Sequence, residues 1–85
     1  MAKIEIYTTQ TCPFCTAAKT LLRKKNAAFS EINVGTDRAL RDAMMARANG
    51  KHTVPQIFIN DRHIGGCDDL YALDAQNKLD DLLIS

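Results

Sequence analysis

The sequence predicts an α/β domain with a mixed sheet, its elements in the order β-α-β-α-β-β-α. Three observations carry the prediction. Two stretches with apolar residues at helical spacing each follow a short β-leaning segment, and an Asn60-Asp61 turn separates two further β segments. A strand–helix–strand unit makes a right-handed parallel pair, whereas strands joined by a tight turn run antiparallel. A chain of 85 residues has room for one core, so a single domain over 1–85 is expected.

Each element has its own warrant. Lys3-Ile4-Glu5-Ile6-Tyr7 alternates charged and apolar residues, as a half-buried strand does. Thr8 to Thr11 is a polar connector. Pro13 suits the first turn of a helix, where its missing N–H is no loss. Ala17, Ala18, Leu21 and Leu22 recur at helical spacing, so a helix is read from about Pro13 to Lys25, ending near Asn26. Lys19, Arg23, Lys24 and Lys25 are read as its solvated face.

Phe29 to Val34 forms the second strand, with Ser30, Ile32 and Val34 on one face. Gly35-Thr36-Asp37 supplies a turn and a cap. Leu40, Ala43, Met44 and Arg47 then mark a helix from Asp37 to Ala48, stopped by Asn49-Gly50. After the loop 51–54, Pro55 precedes the strand Gln56-Ile57-Phe58-Ile59, and Arg62-His63-Ile64 is a short return strand. Gly65-Gly66 breaks the chain. Asp68 and Asp69 suit the first turn of a third helix, where carboxylates meet the positive end of the dipole. Leu70, Tyr71 and Leu73 are expected on its buried side. Leu79, Leu82 and Leu83 mark one last helical turn.

Composition narrows the function. Eleven basic against ten acidic residues leave a net charge of +1, which removes the electrostatic warrant for binding nucleic acid or an anionic membrane. No apolar run approaches the ~20 residues of a membrane span, and no signal-peptide stretch opens the chain. A soluble, cytoplasmic location is expected. The three cysteines are the oddity. A disulfide-stapled secreted domain carries an even set of four or more, whereas here Cys12 and Cys15 form a C-x-x-C pair and Cys67 lies far away.

That spacing points to redox or metal chemistry. Cys12 lies where the first helix begins, and unpaired N–H groups there stabilise an anion such as a thiolate. The thiolate is the species that attacks disulfides. Cys15, one turn on, can close a small disulfide with it. Structural zinc wants about four ligands from paired groups, and only Cys67, His52 and His63 remain, so no metal is expected. A copper(I) carrier also uses C-x-x-C after a first strand. Its βαββαβ order and Met-x-Cys lead-in do not match this chain, where Thr9-Gln10-Thr11 precedes Cys12.

Two further segments each admit two readings. Pro55 is tolerated as the first residue of a strand; alternatively, a cis Val54–Pro55 bond turns a backbone edge outward for a peptide-like ligand. Gly65-Gly66-Cys67-Asp68-Asp69 is a turn with an acidic helix start, or a site whose N–H groups take a carboxylate while Asp68 accepts from an ammonium group. On that segment alone the plain turn is the stronger reading. Cys67 alone reads as a small buried hydrophobe. His52 and His63 read as surface or strand-edge residues.

Taken together, Cys12-Pro13-Phe14-Cys15, Thr53-Val54-Pro55-Gln56-Ile57-Phe58-Ile59 and Gly65-Gly66-Cys67-Asp68-Asp69-Leu70 resemble the dithiol glutaredoxins, most closely the small bacterial glutaredoxin 3 class. The resemblance covers essentially the whole chain. It implies a thioredoxin-like fold, a four-stranded mixed sheet of order 2-1-3-4 flanked by helices, and glutathione-dependent thiol–disulfide exchange. By the same resemblance Cys12 is the nucleophile and Cys15 the resolving thiol. Pro55 is the cis proline, Val54 pairs with the cysteinyl part of glutathione, and Thr53 lies beside that contact. Gly66, Cys67 and Asp68 hold the γ-glutamyl end, and Phe14 packs beside the thiol in place of the commoner tyrosine. Glutathione is the implied reducing co-substrate. Glutathionylated proteins and protein disulfides, with ribonucleotide reductase a possible one, are the implied partners of a monomer. One departure stands out: Thr9 takes the position of a lysine common in relatives, and Lys51 or another basic residue is the candidate replacement. Cys15 and Pro13 argue against the relatives that carry serine at the second cysteine position and handle iron–sulfur clusters. The glutathione motifs argue against an electron carrier fed by a flavoprotein reductase.

Overall fold

A computed structural model describes residues 2–84. The elements are β1 (Ile4–Thr8), α1 (Pro13–Lys24), β2 (Ser30–Asn33), α2 (Arg38–Arg47), β3 (Gln56–Ile59), β4 (Arg62–Gly65), α3 (Cys67–Ala75) and α4 (Leu79–Ile84). They form one four-stranded sheet of order β2-β1-β3-β4. β1 runs parallel to β2, with Tyr7 opposite Ile32, and antiparallel to β3, with Ile6 opposite Ile57. β3 and β4 form the antiparallel hairpin, with Phe58 opposite His63 and a register irregularity between Ile57 and Phe58. The mixed sheet and its 2-1-3-4 order are as the sequence and its resemblance predict.

The period-2 alternation of β1 and β3 splits the core between two faces. Ile4, Ile6, Ile57 and Ile59 join Ala18, Leu21, Leu22, Leu70, Leu79 and Leu83 on one face, which α1, α3 and α4 cover. Tyr7, Val34 and Phe58 meet Met44 and Ala48 of α2 on the other. Phe58 packs edge-on to Tyr7, and the Arg47 guanidinium lies 4.0 Å over its ring. Arg47 also reaches the Glu5 carboxylate at 3.0 and 3.3 Å, which ties α2 to the sheet.

Three helices end in the same way. Asn26, Asn49 and Asn77 each adopt positive φ, of 57°, 58° and 59°. The next N–H then turns back onto the helix: Ala27 to Leu22, Gly50 to Met45 and Lys78 to Leu73, at 2.8–3.0 Å. This is the left-handed stop that asparagine tolerates best after glycine. Asn60 and Asp61 at the hairpin are left-handed too, as a tight two-residue hairpin turn requires.

Three expectations need correction. On α2, Leu40 and Ala43 are exposed, and the buried stripe runs through Met44 and Ala48 with Met45 half-buried. Tyr71 is exposed rather than buried on α3; its hydroxyl donates to the Ala17 carbonyl at 3.0 Å, bridging α3 to α1. The basic residues of α1 are not a uniformly solvated face. Lys19 pairs with Glu31 at 2.9 Å, Lys25 bridges Asp74 and Asp80 at 2.7 and 3.0 Å, and Arg23 lies over Phe29. Among the described residues no helix is long and apolar enough to cross a membrane.

Candidate active site

Residues 9–11 carry the chain from the C-terminal end of β1 to the start of α1, and Cys12 is the residue at that start. Its backbone is extended (φ −112°, ψ 108°), while Pro13 begins the helix with the φ that helices need. The Cys12 sulfur therefore does what an N-cap side chain does: it accepts the Cys15 N–H at 3.2 Å. An anion at that sulfur gains the same N–H and the helix dipole.

Cys15 lies one turn further along and inward. It is buried, and burial, followed by a hydrogen bond with Cys12, pushes its thiol up from 9.0 to about 12. The Thr9 N–H and the Lys19 charge pull the other way and lose. The two thiols thus differ by environment: Cys12 is half-buried and capped by an N–H, whereas Cys15 is held as the neutral thiol. All three cysteines are reduced. Close by in the fold, the buried Thr8 hydroxyl donates to Glu31 at 2.7 Å. The Lys19 ammonium, followed by that hydroxyl, holds the Glu31 carboxyl below its usual range.

The loop before β3 forms the facing wall. The Val54–Pro55 bond is cis, the isomer that the second reading of Pro55 expects. The Cys12 thiol faces the Val54 carbonyl at 3.7 Å. Pro55 is buried and Thr53 exposed. The second glycine turn completes the concavity. Gly65 has φ +121°, and a Cβ there would run into the Asp69 carboxylate. Gly66 has ordinary φ but lies against the cis-proline loop, where an added Cβ would be 3.5 Å from the Pro55 carbonyl.

These segments enclose a groove of about 200 Å³. Phe14, Thr53, Val54, Pro55, Gly66, Cys67 and Asp68, the residues singled out for it from sequence, all line it. Phe14 is 63% exposed, an apolar ring left in solvent two residues after Cys12. Cys67 is buried, and burial, then the Asp68 carboxylate and the Cys12 sulfur, push its thiol up. One detail departs from expectation. The Gly66 N–H donates to Asp69 Oδ2 at 2.9 Å, so it is already taken up within the turn.

Sequence reasoning did not assign Gln56 and Asp69 to the groove, which they line; Lys51, named from sequence as the stand-in for the basic residue absent at Thr9, lines it too. Thr9 itself faces a neighbouring cleft shared with Asn33 and Arg41, and Arg41 donates to the His52 carbonyl at 2.8 Å. His63 is half-buried and bonded to Gln56 at 2.7 Å. Side-chain geometry exposes the roles of Gln56, Asp69 and His63, because each sits in a strand or helix whose pattern needs no further explanation.

The comparisons agree with the geometry. The Glutaredoxin family model matches residues 4–64. A probable glutaredoxin of Synechocystis sp. is 61% identical over 99% of this chain and 96% of its own length. Glutaredoxin 3 of Escherichia coli is 55% identical over 98% of this chain and 99% of its own. Among solved structures, the buckwheat glutaredoxin–glutathione complex superposes with a TM-score of 0.88 at 27% identity, covering 98% of this chain and 77% of that one. A C-x-x-C pair capping the first helix of a 2-1-3-4 sheet, beside a cis-proline loop, and identity of this extent lead to one conclusion: the chain belongs to the glutaredoxin family, the thiol–disulfide oxidoreductases of this fold.

Proposed function

We propose that the chain is a glutathione-dependent oxidoreductase that reduces glutathione mixed disulfides and protein disulfides through Cys12 and Cys15. The observation that carries this is a groove lined by Phe14, the cis-proline loop and the start of α3, with the Cys12 thiol against one of its walls, 3.7 Å from the Val54 carbonyl. It offers a tripeptide three kinds of contact. The backbone edge of Val54 pairs with the cysteinyl unit, the N–H groups of Cys67 and Asp68 meet the γ-glutamyl carboxylate, and the Asp68 carboxylate accepts from the ammonium group. Thr53, Pro55 and Gly66 shape the groove, Phe14 packs over its mouth, and Lys51 supplies positive charge for the glycyl carboxylate. The buckwheat relative is described as a glutaredoxin–glutathione complex, which supports glutathione as the ligand.

Cys12 thiolate attacks the glutathione sulfur of a mixed disulfide. The substrate thiolate leaves and takes up a proton, and glutathione remains on Cys12. The thiolate of a second glutathione attacks that glutathione's sulfur, releasing glutathione disulfide and restoring Cys12. In the dithiol route Cys12 attacks a protein disulfide. Cys15 then loses its proton and displaces the partner thiol, and two glutathiones reduce the Cys12–Cys15 disulfide. A single domain over 1–85 acting as a cytoplasmic monomer, without a bound metal, fits this reading, with ribonucleotide reductase among its candidate substrates.

The test is turnover of a glutathione mixed disulfide by the two single-cysteine variants. Cys12→Ser loses turnover, while Cys15→Ser keeps it and loses only protein-disulfide reduction. Activity retained in Cys12→Ser sinks the assignment.

A further inference from the structure

Gln56 is the first residue of β3, 2% exposed, and polar where the rest of that strand is apolar. A buried amide is costly unless its donors and acceptor are met, and here they are met in one direction. Its Nε2 donates to the Thr53 carbonyl at 2.9 Å and reaches the Thr53 hydroxyl at 3.3 Å. A carbonyl only accepts, so the amide nitrogen must face Thr53 and Oε1 must face His63, 2.7 Å away. His63 Nε2 therefore carries a hydrogen and donates it. The ring is held by stacking on Phe58, with centroids 5.0 Å apart. The result is a directed chain from His63 through Gln56 to the backbone of the loop that faces Cys12.

We propose that His63 and Gln56 are positioning residues for the reaction: His63 fixes the orientation of the Gln56 amide, and Gln56 fixes the Thr53 carbonyl and hydroxyl so that the Val54 backbone edge is presented ready-made to the substrate. The loop takes part of its shape from side chains, since Arg41 holds the preceding carbonyl, that of His52, while Gln56 holds that of Thr53. Without Gln56 the segment must be ordered at each binding event, and that cost falls on substrate affinity. This inference rests on the proposed glutathione groove, and its test separates the two.

Gln56→Leu keeps the volume and removes the contacts with both Thr53 and His63. It raises KM for a glutathione mixed disulfide by about tenfold, the order of one or two hydrogen bonds, with kcat within about twofold of wild type. His63→Phe keeps the stack on Phe58, removes the donor from a half-buried position, and raises KM by about threefold. The double variant is no worse than Gln56→Leu alone, because the two act in series. Hydrogen exchange at the Val54 amide quickens in both variants without any substrate. That readout does not depend on glutathione. Faster exchange with unchanged KM overturns the link from loop to affinity. Unchanged exchange, additive losses in the double variant, or a fall in kcat with KM constant overturns the relay. If Gln56→Leu fails to fold, His63→Phe alone decides by its exchange and KM. If wild type shows no turnover of the mixed disulfide while exchange still quickens, the groove reading fails and the substrate half of this proposal falls with it.

Discussion

Burial of Cys15 makes a quantitative prediction about its reactivity. A thiol raised from 9.0 to about 12 has about a thousandfold less thiolate near neutral pH than an ordinary cysteine. The more basic thiolate is intrinsically the better nucleophile, and with a Brønsted coefficient of about 0.45 this returns about twentyfold. Cys15 is thus expected to attack a small disulfide about fiftyfold more slowly than an exposed thiol, before any steric shielding. The measurement uses a Cys12→Ser/Cys67→Ser variant, in which Cys15 is the remaining thiol. Its reaction with a small aromatic disulfide is followed across about pH 6 to 10 by the thiol released. The substitution removes the Cys12 contribution, which is the second cause of the rise, but leaves burial, which is the first. The rate therefore climbs tenfold per pH unit and is still climbing at pH 9. A plateau at or below pH 9 would mean that Cys15 is hydrated, and the division of labour between the two thiols would then have no electrostatic basis.

Two other variants and a pH series probe the scaffold. Gly65→Ala forces a side chain onto φ +121° and into the Asp69 carboxylate, and should cost about 2 kcal/mol in urea unfolding. Gly66→Ala keeps an allowed φ and an ordinary contact, so it costs less than about 1 kcal/mol while its methyl raises KM; equal losses at the two glycines would contradict this. Burial, aided by Lys51, lowers His63 below its ordinary 6.5. The unfolded chain then holds that proton more readily, so the contribution is complete above pH 6.5 and is lost as pH falls toward the folded value. Glu31, held below 4.5 chiefly by Lys19, adds stability above that value that is lost on further acidification. Urea midpoints across the two windows should fall with pH, with the upper slope flattened by His63→Phe and the lower by Lys19→Met. Midpoints that rise as pH drops below 6.5 would reverse the sign of the argument.

What was legible in the sequence were the features with a short period or a fixed spacing. The alternation of Lys3 to Tyr7, Pro13 at a helix start, and Asn26 and Asn49 past helix ends all placed their elements within a residue or two. The three motifs that line the groove were equally plain, since each is continuous in the chain. What was hidden needs contacts across the sheet. Leu40 and Ala43 fit helical spacing, yet α2 turns Met44, Met45 and Ala48 to the core, because the rotation of a short helix depends on what covers the sheet. Tyr71 obeys its period and still stays outside, since its hydroxyl finds Ala17 on a neighbouring helix. Lys19 and Lys25 read as solvated because their acidic partners lie 12 to 55 positions away in the chain. Gln56 was invisible for a similar reason: a polar residue opening an apolar strand looks like a boundary until Thr53 and His63 are seen around it.

The central claim is that Cys12 takes glutathione, and not the protein half, from a mixed disulfide. Intact-mass analysis of Cys15→Ser after brief exposure to a glutathionylated peptide tests this most directly. The account predicts one glutathione added, mapped to Cys12, with the peptide thiol released in equal amount. The peptide bound to Cys12, or glutathione found on Cys67 with Cys12 free, would contradict it.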